Sequence, residues 1–175
     1  MPAVTDITIP LPGGQLMVQD AGPPDGLPVL VYMGSPGSRH LCPAALRLAR
    51  GKGIRLIGVD PPGYGGSAAQ PDRRIADSAA DARAIADALG ITRLAVWGIS
   101  GGGPVALASA ALLPDLIVAA CVFAADRIPG VDAHFPADDD HGTIEANHAS
   151  QAYDWLIAVA QGTSRPAGGR SPEST

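Results

Sequence analysis

The chain has 175 residues, enough for one domain with its own hydrophobic core, and its 46% apolar content is that of an ordinary globular protein. Seventeen acidic against twelve basic residues give a formal net charge of -5 without any Lys/Arg block, which argues against nucleic acid or an anionic membrane surface as a partner. Cys42 and Cys121 fit no C-x-x-C or Cys/His metal spacing, so free, buried thiols in a reducing cytoplasm are expected.

Residues 1–8 carry neither a basic n-region nor an apolar h-region, and no apolar run reaches the length of a membrane span, so a soluble, unprocessed protein is expected. Ile7, Ile9 and Leu11 alternate before a Pro12-Gly13-Gly14 turn, and Leu16 and Val18 alternate after it. That period-two pattern predicts an antiparallel hairpin buried on one face. From Leu27 onward the apolar runs become short and continuous, at Pro28 to Met33, Ile54 to Val59, Leu94 to Ile99 and Ile117 to Ala125. Runs of this kind are strands buried on both faces.

Helical stretches lie between these strands. The clearest is Ile75 to Leu89, where Ile75, Ala79, Ala82, Ala86 and Leu89 form one stripe and Gly90 supplies a stop. Alternating strand and helix predicts an α/β fold with a mostly parallel sheet, helices on both faces, and ligands beyond the carboxyl ends of the strands. After Arg127 the chain turns polar, from His134 to Gly142. An amphipathic segment from Thr143 to Ala160 follows, with Ile144, Trp155 and Val159 as expected core contacts. The last stretch, Ser164 to Thr175, has no large apolar residue and is expected to be disordered. The division expected is a core over 1–127, a partial cap over 128–163 and a tail over 164–175, without internal repeats.

Three loops after buried strands carry the chemistry. Gly98-Ile99-Ser100-Gly101-Gly102 matches G-x-S-x-G and joins the strand Leu94 to Ile99 to a helical segment running from Gly102 to Leu113. A nucleophile held this way needs a tight turn, with Gly98 and Gly102 letting strand and helix approach. Pro104 suits the first turn of that helix. Met33-Gly34-Ser35-Pro36-Gly37-Ser38 follows the first buried strand and can aim a second backbone N–H at the same oxyanion. Asp60-Pro61-Pro62-Gly63-Tyr64-Gly65-Gly66-Ser67 follows the next one, and its Pro and Gly content marks a loop with special dihedrals.

Together these loops resemble the α/β-hydrolase fold family, in the branch with H-G-x-P-G, D-x-P-G-x-G-x-S and G-x-S-x-G-G. The resemblance runs from about Thr5 to Ala125. It implies that Ser100 is the nucleophile of a serine hydrolase. It further implies that the backbone N–H groups of Gly101 and Ser35 form an oxyanion hole, with Gly34, Gly98 and Gly102 as support. Asp60 is then a loop anchor. Met33 departs from the pattern, standing where the family has His. The larger departure is length, because the family continues past a sixth strand with a cap and two more strands that deliver an acid and then His.

A serine needs an imidazole base oriented by a carboxylate. The acid and base candidates within the chain are Asp126, at the end of the sixth strand, and His148; His40, His134 and His141 read as helix-entry and loop residues. Two function classes stay open. One is an esterase, lipase-like or aminopeptidase-type enzyme acting on a small-molecule ester or amide through an acyl-enzyme. The other is a truncated, catalytically incomplete fragment or nonenzymatic scaffold. No cofactor or metal is implied, since serine chemistry needs none. No G-x-x-x-x-G-K-[ST] occurs, and no G-x-G-x-x-G stands in the first strand-to-helix unit. A sheet ending at the sixth strand would expose an apolar edge, so self-association is expected.

Overall fold

The computed structural model describes residues 4–123 and 144–163. Asp126, His134, His141, the polar loop 134–142, the boundary near 127 and the tail 164–175 lie outside the described residues.

The predicted hairpin consists of β1 (Val4–Leu11) and β2 (Gly14–Ala21), antiparallel, with Ile7 opposite Val18 and Ile9 opposite Leu16. The alternation therefore puts Ile9, Leu16 and Val18 in the core. The four apolar runs become β3 (Leu27–Tyr32), β4 (Ile54–Val59), β5 (Leu94–Ile99) and β6 (Ile117–Phe123). The six strands form one sheet in the order β1-β2-β4-β3-β5-β6. Only the β1–β2 and β2–β4 pairs are antiparallel.

Successive residues of the central strands point to opposite faces. Leu30, Tyr32, Ile57, Val59, Leu94 and Val96 join one cluster, against α2 (Ser78–Ala88) and α3 (Gly103–Leu112). Val29, Val31, Leu56, Ala95 and Trp97 join the other, against α1 (Pro43–Gly51) and α4 (Ile144–Ala160). Trp97 sits between Phe123 and Tyr153, with ring centroids 4.8 and 4.7 Å away, so one β5 side chain ties β6 and α4 to the sheet.

Two helices differ in detail from the sequence pattern. The segment expected as one helix from Ile75 opens with a 3₁₀ turn, Ile75–Asp77, and becomes α-helical only at Ser78. Ile75 is exposed, and Ile85, outside the expected stripe, is fully buried. Gly90 does stop the helix, at φ 66°. Its N–H donates to the Asp87 carbonyl and that of Ile91 to the Ala86 carbonyl, the paired bonds of a Schellman motif. Among the described side chains of α4 the buried ones are Ala149, Tyr153 and Leu156, whereas Trp155 and Val159 pack at the margin; the side chain of Ile144, also expected in the core, lies outside the described ones. No helix among the described residues is long and apolar enough to cross a membrane.

Candidate active site

All four central strands run parallel, so the loops after β3, β4 and β5 meet at one end of the sheet. Ser100 follows β5 directly, opens a 3₁₀ turn and takes φ 49°, a left-handed conformation that non-glycine residues rarely adopt. The turn is tight because two glycines let backbones touch. A Cβ on Gly98 would stand 2.7 Å from the Gly102 carbonyl oxygen and 2.8 Å from the Gly103 Cα. A Cβ on Gly102 would stand 2.0 Å from the Tyr32 carbonyl oxygen. Neither approach leaves room for a side chain. Pro104 lies in the first turn of α3, as its missing N–H allows.

The loop after β3 comes to the same place. A Cβ on Gly34 would lie 3.0 Å from Ser100 Cβ, and one on Gly101 would lie 3.5 Å from the Ser35 backbone nitrogen. Gly34, Ser35, Ser100 and Gly101 are thus neighbours, and the Ser35–Pro36 peptide is cis.

What holds this loop is a buried carboxylate. Asp60 is 0% exposed and accepts from the Arg39 N–H at 2.8 Å, the Gly66 N–H at 2.9 Å and Arg39 Nη1 at 2.7 Å. Burial by itself would raise the Asp60 carboxyl. The two backbone donors and the guanidinium outweigh it and hold the group below the usual carboxylate range. Arg39 also reaches Asp6 on β1 at 2.9 Å, and the Leu41 N–H donates to Gln19 Oε1 on β2 at 3.1 Å. Asp60 and Arg39 thus clamp the loops after β3 and β4 together. His40 meets Gln19 Nε2 at 3.2 Å, two residues before the Cys42 cap of α1.

A second polar group lies beneath the elbow. The Tyr32 hydroxyl is 3.0 Å from Ser109 Oγ, which is 3.1 Å from Ser78 Oγ. Burial pushes the Tyr32 hydroxyl up, well above its ordinary value. Nearby, Arg73 pairs with the buried Asp81 and with Gln70. Neither Arg39 nor Arg73 is marked by any local motif; each is defined by a partner on another element. His148 lies in the first half of α4, with Nδ1 3.4 Å from Gln151 Oε1. Among the described residues no three His, Cys, Asp or Glu side chains gather as a metal-ligand set.

Solved structures with the same architecture are numerous. A predicted CIB-like hydrolase from Thermoplasma acidophilum superposes with a TM-score of 0.61 at 18% identity, over 71% of this chain and 65% of that one. An epoxide hydrolase from an endophytic Streptomyces gives 0.58 at 30% identity, over 68% and 36%. A proline iminopeptidase from Mycobacterium smegmatis gives 0.55 at 28% identity, over 66% and 42%. The chain thus corresponds to less than two thirds of the length of each. No curated protein sequence matches it. The family model for the alpha/beta hydrolase fold matches residues 28–173, most of the chain. Matched over most of its length, the chain belongs to the alpha/beta hydrolase fold family.

Proposed function

We propose that the protein is a serine hydrolase of small-molecule esters or amides, with Ser100 as nucleophile. The observation that carries this reading is the left-handed Ser100 at φ 49°, held on the β5-to-α3 turn, because that strain presents a hydroxyl at the sheet edge. In the reaction, Ser100 Oγ forms a bond to the substrate's carbonyl carbon and its proton passes to a base. The carbonyl oxygen becomes an oxyanion that the Ser35 and Gly101 N–H groups stabilise, and the leaving group departs with a proton. Water then cleaves the acyl-enzyme and regenerates the serine. The likeness to a proline iminopeptidase supports acyl transfer of this kind. His148 and Asp126 are the first candidates for base and acid. Cys42 is exposed rather than buried as expected, and Cys121 is half-buried; a reducing cytoplasm remains the compartment proposed.

A fluorophosphonate probe tests the reading directly, since it labels only an activated serine. Wild type is expected to label and Ser100→Ala to stay unlabelled. His148→Ala is expected to slow labelling by about 100-fold or more, the usual contribution of a general base. Folded wild type that does not react would overturn the assignment and favour a nonenzymatic scaffold.

A further inference from the structure

A cavity of about 180 Å³ lies against the elbow, and Ser35, Gly101 and Gly102 form part of its wall. Apolar wall is supplied by Met33, Val59, Pro61, Pro62, Ile85 and Val105. Tyr32 also lines it, but its hydroxyl is engaged by Ser109. An apolar cavity of about 150 Å³ accepts a benzene ring, so this one has room for on the order of seven non-hydrogen atoms.

The charged groups in the wall are Arg73 and Asp81. Arg73 donates through Nη1 to Gln70 and through Nη2 to Asp81. A guanidinium has five N–H donors, so these two contacts leave others for a ligand. The charge at this wall is already balanced. A ligand carboxylate would share Arg73 with Asp81, placing two anions together in a poorly solvated site, which is costly. An uncharged acceptor meets no such penalty. Burial already pushes the Asp81 carboxyl up, with the Arg73 bond opposing it, so further negative charge there is disfavoured.

We infer that this cavity binds a short, uncharged acyl chain of about seven non-hydrogen atoms that carries a carbonyl-type acceptor for Arg73. The inference rests on the proposed function in one respect: the bound group is taken to be the acyl half of the ester or amide that Ser100 attacks. It narrows the substrate class from any small ester to oxo- or amide-bearing short acyl groups.

The test uses three methyl esters of equal acyl size: levulinate with a ketone, isocaproate with a methyl in its place, and the half-ester of succinate with a carboxylate. Binding is measured by ligand-observed NMR on full-chain Ser100→Ala, where no turnover intervenes. Levulinate is expected to bind about tenfold more tightly than either of the others, as for one hydrogen bond to a charged group. The measurement is repeated with Arg73→Met and Asp81→Leu added together. Replacing both members of a pair by apolar groups leaves no unpaired buried charge, so the fold is retained. In that protein the preference for levulinate over isocaproate should vanish or reverse. Equal binding of levulinate and isocaproate before the replacement, a preference that survives it, or no binding of any ester would overturn the inference. Fluorophosphonate labelling of wild type separates the two claims. Labelling without the levulinate preference overturns the pocket alone, and the preference without labelling supports the pocket while overturning the nucleophile.

Discussion

Asp60 is the residue on which the site's geometry depends most, because one carboxylate fixes both loops that flank the elbow. Its three donors come from Arg39 and Gly66, and none of its surface reaches solvent. Removing the carboxylate takes the acceptor from two backbone N–H groups and leaves the Arg39 guanidinium, whose side chain is 16% exposed, with Asp6 as its remaining carboxylate. Asp60→Ala is therefore expected to cost about 3 to 5 kcal/mol in chemical denaturation, the range for breaking one side of a buried pair. The same residue gives a pH dependence. Its carboxyl titrates below the ordinary value of 3.8 in the folded protein, so its stabilisation is complete above that value. It is lost as pH falls through the lower, folded-state value. The stability difference between wild type and Asp60→Asn should be constant near neutrality and shrink in strong acid. A difference that instead grew on acidification would show that the carboxylate is not held by its donors.

At the scale of elements, α4 is where packing can be tested most simply. Leu156 is fully buried against the Trp97 side of the sheet, whereas Trp155, one residue earlier, lies at the margin. Leu156→Ala is expected to cost about 2 to 5 kcal/mol and Trp155→Ala clearly less, read from denaturant midpoints. The reverse order would mean that α4 docks by its other face. This helix also shows what a sequence reveals. Its span was legible from the apolar spacing, but its inward face was not, because Ala149, Tyr153 and Leu156 compete with equally apolar Trp155 and Val159. The strands were easier, since burial on both faces leaves continuous apolar runs that no helix of that length needs. In α2 the pattern misled at Ile75, because the inward face carries Ser78 and Asp81, polar residues satisfied by Ser109 and Arg73. The elbow was legible as a spacing of glycines around Ser100. The clamp and the second ion pair were not, as Arg39 and Asp60 stand 21 positions apart and Arg73 and Asp81 stand eight apart with no motif between them.

For the whole molecule, the sheet has two very different margins. At one end β1 is held in a hairpin, and Asp6 on it is paired with Arg39, the kind of charged edge that discourages further strands. At the other end β6 pairs only with β5 among the described residues. The α4 residues Ala149 and Tyr153 pack in the cluster of Ala119 and Phe123 on its face, so among the described residues no strand pairs with the outer row of N–H and C=O groups. Its sequence, IVAACVF, has no charge, no proline and no glycine, and such a segment is a template for pairing. We propose that this edge pairs with a second copy of the same strand, antiparallel about a two-fold axis, since an isologous contact closes on itself. Wild type is therefore expected to elute from a sizing column as a concentration-dependent dimer in the micromolar range. The overall charge of -5 is too small and too dispersed to prevent this contact, so salt should alter the equilibrium little. A wild type that stays monomeric at every concentration would show that β6 is not a joining edge.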